Sequence, residues 1–103
     1  MSALKITECA IGSQGVTHNR IGGYSSNTGE IRKSILQLTG DEPIDLVVLE
    51  VGANDQTAYS QYPGTYTDLF TGDADTATPG EGGFTFCGCL NACLKHLQTN
   101  TNA

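Results

Sequence analysis

The chain has 103 residues, 38% of them hydrophobic, and a formal charge of −6 from 11 acidic and only 5 basic side chains. That length suits one small domain. An acidic surface without a Lys/Arg cluster excludes nucleic acid and anionic membranes as partners and leaves neutral sugars and esters open. No apolar run approaches the roughly 20 residues a bilayer span needs, and Met1-Ser2-Ala3-Leu4-Lys5 lacks the charged-then-apolar order of a signal peptide.

Leu4 to Ile11 (LKITECAI) is a strand-like run that stops at Gly12, followed by a glycine-punctuated loop through Gly22-Gly23. Asn27-Thr28-Gly29-Glu30 fits a capping box, with Asn27 accepting from the first helical turn and Glu30 reaching back. Ile31, Ile35 and Leu38 then recur at helical spacing, Leu36 widens the stripe, and Gly40 and Pro43 end it, which predicts a helix over 27–39. Ile44 to Val51 (IDLVVLEV) has six apolar residues of eight and no alternation, the pattern of a strand covered on both faces. Strand, helix and buried strand predict a right-handed crossover in an α/β fold with a parallel sheet. From Asp55 to Gly83 periodicity is weak and turn signals recur, so a long loop is expected. Phe86, Leu90, Leu94 and Leu97 line one face of a final helix over 84–98.

Ligands of open parallel sheets bind beyond the carboxyl ends of strands, so the loops after Ile11 and Val51 are expected to converge on one site. The second loop reads Val51-Gly52-Ala53-Asn54-Asp55. Glycine, any residue, Asn and Asp directly after a buried strand resembles the third conserved block of the SGNH (GDSL-like) hydrolases. Cys9-Ala10-Ile11-Gly12-Ser13 is similar to the second block. Phe86-Cys87-Gly88-Cys89-Leu90-Asn91 resembles the helix start of bacterial members that act on carbohydrate esters, and the likeness spans roughly residues 4 to 98.

The resemblance implies a three-layer, flavodoxin-like fold, here incomplete, running strand, helix, strand, long loop, helix. It also implies a serine ester hydrolase that needs no cofactor or metal and takes small-molecule or carbohydrate esters, in a periplasmic or secreted parent. Asn54 would donate its side-chain amide to the oxyanion, and Gly12 or Ser13 would add a backbone N–H. Gly52 would permit the tight path and Asp55 would brace the turn. A preorganised donor of this kind is worth about 10²–10³ in rate.

The chain departs from the family in several places. Glu8 stands where members often have Asn, and Ser13 where they have glycine. Gly-Asp occurs as Gly40-Asp41-Glu42 and Gly72-Asp73-Ala74, never followed by serine, and neither His18 nor His96 has Asp three residues before it. The chain therefore lacks the family's nucleophile and its Asp–His pair. It reads as an internal fragment, expected to be inactive alone and to self-associate through exposed sheet edges.

Blander readings stand beside these. Asn54 is also an ordinary residue at a strand end, and Ser13 with His18 as base is a weak nucleophile pair. Tyr59, Tyr62, Tyr66 and Phe70 suit sugar stacking and loop packing equally. Cys89, Cys93 and His96, with Cys9, have zinc-compatible spacing, but cysteine is also a small core residue, so no metal is expected. Asp68, Asp73, Asp75 and Glu81 match no calcium loop and read as loop charges. The alternative function is a non-catalytic module that binds carbohydrate through the tyrosine loop.

Overall fold

A computed structural model describes residues 11–41 and 43–103. Its helices are α1 (Glu30–Leu36), α2 (Gln56–Gln61) and α3 (Phe86–Asn100), with short 3-10 turns at Asn19–Ile21 and Ala53–Asp55. Among the described residues no strand forms. This overturns the expected α/β architecture with a parallel, flavodoxin-like sheet. Of the first expected strand, residues 4–10 lie outside the described residues, and Ile11 is in no strand.

The second expected strand shows why. A buried strand needs ladder partners for its backbone and cover on both faces. Over Ile44–Val51 the one backbone–backbone bond among the described residues is Asn102 N–H to the Ile44 carbonyl, 2.9 Å. Leu46 and Val48 are 78% and 79% exposed, while Val51 packs against the core. The segment has the composition of a sheet centre and, among the described residues, no ladder partner. What the sequence presented as a strand covered on both faces leaves Leu46 and Val48 open to solvent.

The helix after Gly29 is shorter than its periodicity predicts. Gly29 sits at φ 77°, a left-handed conformation that blocks an earlier start, and no side chain of its own caps the helix. The expected capping box does not form. Asn27 is engaged elsewhere, and the Gln14 side-chain oxygen accepts from Thr28 N–H at 2.9 Å and Glu30 N–H at 3.2 Å. A loop residue sixteen positions away does the capping. Glu30 instead accepts from Thr28 Oγ1 and Lys33 Nζ, bonds that lower its carboxyl below the ordinary range.

Helix α3 is the backbone of the packing. Thr85 caps it, its hydroxyl accepting from Gly88 N–H at 3.0 Å. Its buried face is Gly88, Cys89, Ala92, Cys93 and Leu97, rotated from the leucine stripe so that Leu94 is exposed. Small residues win this face because neighbouring backbone comes close. A Cβ at Gly88 would overlap the Gly83 carbonyl. Phe84 stacks on Phe70 at 4.7 Å, and with Val16, Ile21, Ala58, Ala74, Cys89 and Cys93 they make the core. The 12–29 loop therefore supplies Val16 and Ile21 to the core and stays open at its start, where Gly12 and Ser13 are exposed.

Candidate functional site

The carboxylate of Asp55 is fully buried and joins the turn after Val51 to the loop after Ile11. It accepts Val16 N–H at 3.2 Å, Thr17 N–H at 3.1 Å, Thr17 Oγ1 at 2.5 Å and Asn27 Nδ2 at 2.9 Å. A carboxylate is tolerable out of water only with such a set of donors. Gly15 is required beside it, because a Cβ there would fall on the carboxylate. Asn27, also fully buried, accepts from Gly15 and Gly29 N–H and donates to the Asn54 carbonyl. Tyr24 N–H reaches that same carbonyl at 2.7 Å. Among the described residues the two loops meet without a sheet between them.

Around this weld stand the residues singled out in the sequence. Asn54 is half-buried, and its Nδ2 donates to the main-chain carbonyl of Gln14 at 3.1 Å. The second proton of that amide has no acceptor among the described residues. Gly12 and Ser13 are exposed, and their N–H groups likewise have no acceptor among the described residues. Ser13 is the one non-glycine residue at positive φ among the described residues, at 60°. Gly52 holds φ 114°, a backbone that only glycine adopts comfortably, and its carbonyl accepts Asp55 N–H at 3.0 Å.

The tyrosines divide. Tyr62 is half-buried, with Gly80 against its ring and its carbonyl taking Phe86 N–H. Phe70 belongs to the core. Tyr59, on α2 just after Asp55, is partly exposed and edge-on to Phe86 at 5.4 Å, and Tyr66 is 89% exposed. His18 is not placed as a base for Ser13. Its Nδ1 accepts from Arg20 N–H at 3.1 Å and its Nε2 faces Asp75 Oδ1 at 3.2 Å, so both ring nitrogens are engaged.

The cysteine–histidine spacing does not produce a ligand set. Cys89 and Cys93 are core thiols, pushed up by burial to about 12 and about 11 respectively, against the opposing pull of Arg32. His96 donates to the Leu38 carbonyl at 2.7 Å. Cys9 lies outside the described residues, and among those described no three His, Cys, Asp or Glu side chains gather to hold a metal. The acidic loop residues tie turns: Asp68 accepts from Thr65 and Thr85, and Asp73 from Asp75 N–H.

Sequence reasoning missed Gln14, Gly15 and Tyr24 at this site, and took Asn27 for a helix cap. Nothing periodic marks them, because their partners lie up to 40 residues away along the chain. Comparison with protein-family models, with curated proteins and with solved structures finds no match to this chain.

Proposed function

We propose that this chain carries the oxyanion-stabilising part of a serine ester hydrolase of the SGNH type, acting on small-molecule or carbohydrate esters. One observation carries the reading: the Asn54 amide and the turn at Ser13-Gln14 lie within hydrogen-bond distance of each other. The reading rests on those two turns and on the motifs in them, and not on a sheet. When a serine attacks an ester carbonyl, negative charge gathers on the carbonyl oxygen. Fixed N–H donors aimed at that oxygen lower the barrier because they need no reorganisation. Asn54 already donates to a carbonyl oxygen and keeps a second proton free. The left-handed backbone of Ser13, at the position where the family has glycine, favours Ser13 over Gly12 as the backbone donor.

The chain contains neither a Gly-Asp-Ser nor an Asp-x-x-His, so nucleophile and proton carrier must come from outside these 103 residues. On p-nitrophenyl acetate the chain alone should hydrolyse no faster than buffer, with Ser13→Ala making no difference. A polypeptide that joins it to segments bearing those two motifs should be active and lose about 10²–10³ in kcat on Asn54→Ala. Hydrolysis by the chain alone that Ser13→Ala abolishes would sink the proposal, as would an unchanged kcat in Asn54→Ala. The exposed rings of Tyr24, Tyr59 and Tyr66 favour a second reading, a non-catalytic carbohydrate-binding surface. Calorimetric binding of oligosaccharides, lost in Tyr59→Ala and Tyr66→Ala, would select it.

A further inference from the structure

Asn27 is a fully buried asparagine in a loop, and every polar group it has is used. Its Oδ1 accepts from Gly15 N–H at 3.1 Å and Gly29 N–H at 2.9 Å. Its Nδ2 donates to the Asn54 carbonyl at 3.1 Å and to Asp55 Oδ1 at 2.9 Å. Its own N–H and carbonyl pair with Tyr24 and Asn19, each at 2.8 Å. Two side-chain donors and two acceptors are the whole capacity of a primary amide.

The partners are not scattered. Gly15 stands two residues from Ser13, and the Asn54 carbonyl belongs to the residue whose amide is the other donor. We infer that Asn27 is the positioning residue of the oxyanion site, fixing the spacing between the Ser13 turn and the Asn54 turn through a single amide. In calling that site an oxyanion site the inference rests on the function proposed above.

No other side chain fits the place. Aspartate has the two acceptors and lacks the donors, and leucine has neither. Glutamine is longer by a methylene where there is no room, since even a Cβ added at Gly23 would come within 2.8 Å of Asn27 Nδ2. An ordinary helix cap would bond the first turn of α1. Asn27 reaches only Gly29 there and spends its donors on the other loop.

Asn27→Asp separates the two roles. It keeps both acceptor oxygens and sets a carboxylate against Asp55 where an N–H stood. Two carboxylates at hydrogen-bond distance share a proton, so one of them titrates far above the usual aspartate value. The other charged and titratable groups nearby are Arg32, whose field and that of Asp55 both reach Cys89 and Cys93, and His18 beside Thr17. Below that titration the shared proton bridges the two carboxyls in place of the N–H that faced Asp55, and above it nothing does. The donor to the Asn54 carbonyl is missing at every pH.

In 15N–1H spectra of Asn27→Asp, the Asn54 side-chain amide should be displaced from its wild-type resonances even at low pH, because the donor to the Asn54 carbonyl is gone. It should move further as pH rises through the shared carboxyl titration, followed by 13C NMR, while the backbone amides of α3 stay in place. An Asn54 amide that ignores that titration overturns the inference. So does one that moves only together with α3, which marks general loosening. Should Asn27→Asp not fold, the wild-type chain decides. A scalar coupling across the hydrogen bond from Asn27 Nδ2 to the Asn54 carbonyl carbon supports the inference, and its absence refutes it. An unchanged kcat in Asn54→Ala would remove the hydrolase reading and leave this coupling standing, so the two failures are distinguishable.

Discussion

Gly15 lies so close to the Asp55 carboxylate that a single methyl group would collide with it, whereas Gly12, three residues earlier, has nothing among the described residues within 4 Å of an added Cβ. Gly15→Ala should therefore destabilise the chain by about 1–3 kcal/mol, the usual cost of forcing an atom into a packed site. Gly12→Ala should stay within about 0.5 kcal/mol. Urea unfolding of the two variants checks this, and equal costs would mean that the Asp55 weld is not where it is described. At this scale the sequence was partly legible. Gly52, Asn54 and Asp55 announce themselves as a compact motif, and the turn at Gly12-Ser13 follows from where an apolar run stops. Gly15 and Asn27 were opaque because a glycine among many and an asparagine before a helix each have a commoner local use. What defines them is a buried carboxylate 40 and 28 positions further along.

The element that misled most is Ile44–Val51. Composition speaks to how much apolar surface a segment would bury given neighbours, and says nothing about whether the neighbours exist. Leu46→Lys and Val48→Lys test the consequence. In a covered strand each would cost several kcal/mol; on this exposed segment the pair should change stability by less than about 1 kcal/mol, read by thermal unfolding. The helices were more legible, since α1 and α3 follow from a 3.6-residue period. The face of α3 was not, because close backbone at Gly83 selects small side chains over leucines.

The start of α3 also responds to acid. Thr65 N–H and the Thr85 hydroxyl hold the Asp68 carboxyl below its ordinary value of 3.8. The folded chain therefore binds that proton less well than the unfolded one. The stabilisation is complete above the unfolded value and is lost as pH falls through the lower folded one. Asp68→Asn should accordingly be less stable than wild type at pH 7 and lose less stability below pH 4, compared by thermal unfolding across that range.

For the molecule as a whole, the core is small and leans on thiols and a buried cation. Arg32 lies over the Phe70 ring at 4.9 Å with its Nε buried and without a hydrogen-bond partner among the described residues. Burial raises Cys89 and Cys93 from 9.0 to about 12 and about 11. Raised values mean the folded state keeps protons that the unfolded state releases, so this stability is present below pH 9 and drains away as pH climbs from there through about 11 and about 12. Iodoacetamide at pH 8 should label half-buried Cys87 before Cys89 and Cys93, which it should reach only on unfolding, as peptide mapping would show.

The joining of two distant loops through one buried carboxylate is the feature on which fold and site both depend. Hydrogen exchange at the backbone amides of Val16 and Thr17 reads it directly. Bound to Asp55, they should exchange only through the opening that also exposes Cys89 and Ala92 in the middle of α3. Exchange at Val16 and Thr17 as fast as at the exposed Tyr66 would contradict the account.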